Sequence, residues 1–165
     1  MKKLLIPFLL SAVVAMIAFG DKDSAKEIVI TVNDAMQFDV KNFEVDAGSK
    51  VKLTLKNIGK VPKIAMGHNL VVLKKGISAI AFGQKALSAG ANATNPLPDS
   101  VKGDVIAFTK LLGPDESDTI TFTAPKESGA YEYVCTFPPF RHDAWHHEGQ
   151  IKAFGFSFRP LHPRP

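Results

Sequence analysis

"DTITFTA", residues 118–124, alternates polar and apolar side chains along its length, the period-two pattern of a strand with one face on a core. Working outward, "EIVITV" (27–32) and "VKLTLKN" (51–57) are β-branched or alternate in the same way, and "HNLVVL" (68–73) and "AYEYVC" (130–135) extend the series. Turn chemistry fills the joints, in "DAGSK", "NIGK" and "GPDES". Many short strands separated by such turns predict an all-β chain folded as an antiparallel sandwich or barrel. One stretch departs from the pattern. "ISAIAFGQKALSAG" (77–90) is rich in alanine with apolar residues at helical spacing, which predicts a single helix inserted between strands, and "ANATNPLPDS" after it reads as a loop.

The first twenty residues, "MKKLLIPFLLSAVVAMIAFG", place two lysines before an apolar run too short to span a bilayer comfortably, with small residues at Ala18 and Gly20. Residues 1–20 are therefore expected to be a cleaved secretory signal, leaving about 145 residues from Asp21, enough for one domain with a full core. No later segment is long and apolar enough to be transmembrane, so no stable membrane insertion is expected. The formal charge of +4 is not a basic patch. Acidic and basic residues balance over 21–138, and the excess sits in Lys2 and Lys3 and in a tail where Arg141, Lys152, Arg159 and Arg164 outnumber Asp143 and Glu148. Nucleic acid is thus not an expected partner.

The chain has one cysteine, Cys135, inside "GAYEYVCTFPPFRHDAWHHEGQ" (129–150), which also carries His142, His146 and His147. A single cysteine in an exported chain cannot form an internal disulfide, so it is a free thiol, an intermolecular link, a ligand or a small buried apolar residue. Several chemistries lack their residues: there is no C-x-x-C pair, no H-E-x-x-H, no G-x-S-x-G and no glycine-rich phosphate loop after a strand. A cysteine nucleophile is poorly served, because Cys135 ends a predicted strand and lacks the positive helix end that lowers a thiol pKa. Copper that shuttles between two oxidation states is held by one thiolate and two imidazoles in a plane, with weak axial contacts. His68 in "MGHNL" and Cys135 fit two of those places.

Four motifs in one order, "NDAMQF" (33–38), "MGHNLV" (66–71), "VIAFTKLLGPDESDTITF" (105–122) and "YEYVCTFP" (131–138), resemble the azurins, bacterial blue-copper proteins of the cupredoxin family. The likeness covers roughly residues 27–138. It implies a Greek-key β-sandwich with one type 1 copper cycling between Cu(I) and Cu(II), and a monomeric electron carrier of the periplasm rather than an enzyme. Gly67 then supplies a weak carbonyl contact, His68 an imidazole and Cys135 the thiolate, while Asn69 ties the two ligand-bearing segments together. The partners implied are redox proteins such as a c-type cytochrome or a copper reductase. The disulfide common in azurins is absent, and Met36, Met66 and Phe38 read as core.

The likeness stops after "CTFP". Azurin-like chains place a histidine five residues after the cysteine and a methionine nine after, where this chain has Phe140 and Ala144, and no methionine follows Cys135. The reading is therefore a cupredoxin domain over 21–138 and an atypical tail over 139–165 in place of the closing ligand loop and strand. Reading the codons of 139–150 one base on admits a histidine and a methionine at the family spacings, which suggests a slipped frame from Pro139. With the tail as written, His142 is the candidate second imidazole and His146 a candidate axial ligand. The alternative function is a cupredoxin-like binding or copper-storage module without redox activity.

Overall fold

The computed structural model describes residues 25–138 and 148–154, and within them the alternating segments become strands. These are β1 (Lys26–Val32), β2 (Asn42–Asp46), β3 (Lys50–Asn57), β4 (Val71–Leu73), β5 (Val105–Phe108), β6 (Ser117–Thr123), β7 (Gly129–Val134) and β8 (Glu148–Phe154). Two α-helices, α1 (Lys63–Met66) and α2 (Ala79–Ser88), and a 3₁₀ helix over Asp99–Asp104 complete the elements. The strands form one sheet in the order β1-β3-β6 and a second in the order β2-β8-β7-β4-β5. Most pairings are antiparallel, as expected, but β1 runs parallel to β3 and β2 parallel to β8. Parallel neighbours need a crossover, and β2 provides one: the chain leaves the first sheet after β1, contributes β2 to the second and returns as β3.

The inward faces of both sheets meet in one apolar cluster, with Ile30, Leu53, Leu55 and Phe122 from the first sheet against Phe43, Val45, Val72, Tyr133 and Ile151 from the second. The alternation that predicts β3 is visible in its burial, with Val51, Leu53 and Leu55 inward and Lys52 and Lys56 in solvent. All three residues of β4 are buried because its two faces are both covered. Val72 points into the sandwich, while Val71 and Leu73 join a second cluster with Ala79, Phe82 and Ala86 of α2 and Leu97, Val101 and Val134. Ala79, Phe82 and Ala86 share one helical face by their spacing, and Glu132 of β7 fixes the start of α2 by accepting the Ala79 N–H at 2.7 Å. A carboxylate there is favoured by the positive end of the helix.

The expected sandwich and inserted helix are both present, the helix shorter than the predicted 77–90. Strands β2, β5 and β8 and the four-residue α1 are additions to the sequence reading. The closing strand corrects it. The sequence sets 139–165 apart as an atypical tail in place of the closing ligand loop and strand, yet β8 pairs with β7 from Gly129↔Ala153 to Val134↔Glu148 and with β2 from Asn42↔Gln150 to Asp46↔Phe154. Its alternation is short and was overshadowed by "FGFSFRPLHPRP": Gly149, Ile151 and Ala153 are buried and Lys152 is exposed. The expected signal peptide lies outside the described residues.

Gly149 matters for the space it leaves. It is the cross-strand partner of Tyr133, and a Cβ at Gly149 would overlap the Tyr133 ring. The fully buried ring packs beside Phe38 at 5.4 Å and Phe43 at 6.0 Å between centroids, and its hydroxyl donates to the Val40 carbonyl. Burial pushes the phenol pKa far up, so this group stays neutral. Gly149→Ala should therefore lower the unfolding free energy by about 1–3 kcal/mol, the usual cost of overpacking a filled core. Urea unfolding of the two proteins checks this, and an unchanged midpoint would refute the packing role of the bare glycine.

Candidate metal centre

The segment Gly67–Leu70 lies between the end of α1 and the start of β4, and hydrogen bonds fasten it on two sides. On one side His68 and Leu112 exchange main-chain bonds, His68 N–H to Leu112 O at 3.0 Å and Leu112 N–H to His68 O at 2.7 Å. Leu70 N–H donates to Thr109 Oγ1 at 2.9 Å, and Thr109 N–H returns to Leu70 O at 3.0 Å. On the other side Asn69 Oδ1 accepts the Thr136 N–H at 2.8 Å and Asn69 Nδ2 donates to Thr136 Oγ1 at 2.9 Å. Both residues are buried, so these bonds form away from water, where leaving either group unpaired is costly.

Cys135 follows the last residue of β7 and is only 4% exposed. Burial raises its thiol pKa, and hydrogen bonds from the main-chain N–H groups of Asn69 and Phe137 pull the other way. Two amides aimed at one sulfur stabilise a thiolate, and one of them belongs to the residue after His68. The Asn69–Thr136 tie therefore brings the histidine-bearing and cysteine-bearing segments together. His68 is 1% exposed, and its imidazole pKa is lowered by burial, with the Asp34 carboxylate opposing. A neutral imidazole is the form that binds a metal.

Gly67 is buried in extended backbone, with φ −79° and ψ 155°, so its role is spatial rather than conformational. A Cβ there would come within 2.8 Å of the Leu111 side chain, which covers this end of the site. The loop bearing Leu111 is clamped in turn. Glu116 Oε2 accepts the Gly113 N–H at 2.8 Å and pairs with the Lys63 ammonium at 3.0 Å.

Of the residues singled out in the sequence, Gly67, His68, Asn69 and Cys135 are brought together, while His142 and His146 lie outside the described residues. Phe38 is core as expected, whereas Met36 and Met66 are only partly buried. Thr136, Thr109 and Leu111 escaped the sequence reading; Thr136 sits inside the quoted "CTFP", where a small hydroxyl beside a candidate ligand was the available signal. Among the described residues no group of three or more His, Cys, Asp or Glu is gathered for a metal. The donors present are one sulfur and one imidazole nitrogen beside a glycine carbonyl. Thiolate with imidazole suits copper and other thiophilic ions rather than magnesium or calcium, so these residues fit part of a copper ligand set.

Comparison with known proteins agrees with this chemistry. The family model for copper binding proteins, plastocyanin/azurin family, matches residues 25–153. Azurin of Alcaligenes faecalis is 42% identical over 120 residues, covering 69% of this chain and 89% of that protein. Azurin-2 of Alcaligenes xylosoxydans xylosoxydans is 40% identical over 118 residues, 68% of this chain and 87% of its own length. Among solved structures, auracyanin A from Chloroflexus aurantiacus, described as a "blue" copper protein, superposes with a TM-score of 0.64 at 30% identity, covering 79% of this chain and all of that one. The chain belongs to the plastocyanin/azurin family of copper-binding proteins, with the β-sandwich of the cupredoxins.

Two predictions test this architecture. Asn69→Leu and Thr136→Val should each destabilise the metal-free protein by about 1–3 kcal/mol by stranding the partner's buried group, and the double variant should cost clearly less than their sum. Additive costs in chemical denaturation would mean that the two side chains do not act as a tie. Glu116 gives a pH signature. The Gly113 N–H, and then the Lys63 ammonium, hold its pKa below the ordinary 4.5, so its contribution is whole above that value and is lost as pH falls through the lower folded one. Glu116→Gln should therefore flatten the decline in stability on the acid side of pH 4.5; a curve that keeps its slope would exclude the clamp as a source of that decline.

Proposed function

We propose that this family member is a periplasmic electron carrier that would hold one type 1 copper, with Cys135 as thiolate, His68 as imidazole and the Gly67 carbonyl as a weak contact. His142, seven residues after Cys135, completes the set. The observation that carries the reading is the pair of hydrogen bonds between Asn69 and Thr136, which joins the two ligand-bearing segments independently of any ion. Bound copper supplies a one-electron couple. The chain's own part is to hold both donors away from water and orient the sulfur with the Asn69 and Phe137 amides. Leu111 limits access over Gly67.

No substrate is transformed, so the protein is not an enzyme in the ordinary sense. The apolar run at the start of the sequence supports export to the periplasm, and among the described residues no helix is long and apolar enough to cross a membrane. A monomer would meet redox proteins such as a c-type cytochrome or a copper reductase, and the exposed Ile64 of α1, just before Gly67 in the chain, supplies apolar surface for brief docking. A second reading, copper storage without redox cycling, is favoured by Phe140 and Ala144 at the positions where azurin-like chains carry a histidine and a methionine.

The deciding experiment is a visible spectrum of the full processed protein titrated with Cu(II). The expected result is an intense blue thiolate-to-copper band that bleaches on reduction and is absent from Cys135→Ser. A colourless product, or a weak band that survives Cys135→Ser, would overturn the electron-carrier reading.

A further inference from the structure

The outer face of the five-stranded sheet carries a cavity that the copper reading does not use. It opens between the loop before β2 and the start of α2, holds about 580 Å³, and has no candidate copper ligand among its described lining residues. That volume is in the range of small-molecule sites. Strand register sets its floor. Asn42 of β2 lies opposite Gln150 of β8, and Gln150 lies opposite Glu132 of β7. These three alternate with the core residues Phe43, Ile151, Tyr131 and Tyr133, so two amides and a carboxylate form one outward row across adjacent strands. At the usual strand spacing the row is roughly 10 Å long.

The cavity holds opposite charges apart. Lys41, whose carbonyl accepts the Gln150 N–H at 2.7 Å, stands at the Asn42 end of the row. Glu132 stands at the other end, where the Ala79 N–H on its Oε2 at 2.7 Å fixes the carboxylate and leaves Oε1 for a ligand. Among the ion pairs of the described residues neither Lys41 nor Glu132 takes part. Between the two charges, the Asn42 and Gln150 amides each offer a donor and an acceptor. An ion of one sign would be repelled by one wall, and a neutral ligand would leave both charges unmatched. Ile80, 47% exposed at the start of α2, adds an apolar wall.

We propose that this cavity binds a free α-amino acid as its zwitterion, with the ammonium on Glu132 and Gln150, the carboxylate on Lys41 and Asn42, and the side chain against Ile80. An ammonium and a carboxylate on one carbon, each making a charge-assisted hydrogen bond of about 2.8 Å, take up most of the length of the row. The charged groups are open to water, so each contact is worth little and the complex is weak.

The test titrates L-leucine into the full processed protein without metal, following the Ala79 and Gln150 amide resonances by NMR. Both should shift saturably, with a Kd on the order of 1–10 mM. N-acetyl-L-leucine, which lacks the ammonium, and L-leucine methyl ester, which lacks the carboxylate, should each bind at least ~10-fold more weakly. Lys41→Met, an exposed substitution that keeps the length of the stem, should weaken L-leucine by about fivefold while leaving the urea midpoint unchanged. No saturable shift, equal binding of either blocked form, or unaltered affinity in Lys41→Met overturns the proposal. Saturable shifts with D-glucose in place of L-leucine also overturn it and assign the cavity to a neutral polyol.

Discussion

The pair of hydrogen bonds between Asn69 and Thr136 is the constraint on which the site depends. Without it, His68 belongs to a loop entering β4 and Cys135 to the end of β7, two segments far apart in sequence. The bonds are buried, and each uses a side-chain group that has no water to fall back on. Their effect reaches beyond the two residues that make them. Holding Asn69 in place also holds its main-chain amide on the Cys135 sulfur, so a tie between two polar side chains becomes orientation of the donor atom. A site assembled in this way does not need the ion to organise it.

Around that tie the sequence invests in exclusion of water. Leu111 covers Gly67, and the loop that carries Leu111 is held by Glu116, Lys63 and the His68–Leu112 main-chain bridge. The ion pairs of the loop are individually weak because they are largely solvated. Their value here is geometric, since they pin the loop's Asp115 and Glu116 to Lys60 and Lys63.

Much of this was legible in the sequence where a period or a motif was long enough to register. Alternation in 51–57 and 118–124 and the alanine-rich 77–90 gave the layers and the helix, and the four ordered motifs gave the family, with Gly67, His68, Asn69 and Cys135 as candidate site residues. What escaped was short or depended on partners. Strand β2 shows only Phe43 and Val45 as buried alternates, and β5 lies at a sheet edge with no fully buried residue. The closing strand escaped because its alternation is short and lies beyond "CTFP", where the likeness stops, and its bare Gly149 shows a core role only beside Tyr133. Thr136 looks like an ordinary surface polar residue in the sequence; only its hydrogen-bond partner, distant along the chain, gives it a role.

Strand β4 is the shortest strand described, yet it is shared by two interiors: Val72 faces the sandwich, and Val71 and Leu73 face the helix-covered cluster. Neither interior can open without exposing part of the other's boundary, so the helix layer and the sandwich are bound into one cooperative unit. The candidate ligand His68 stands just upstream of that strand. A strand buried on both faces and the candidate metal ligand are therefore near neighbours, so opening motions that reach the candidate site begin in the loops above it rather than beneath it.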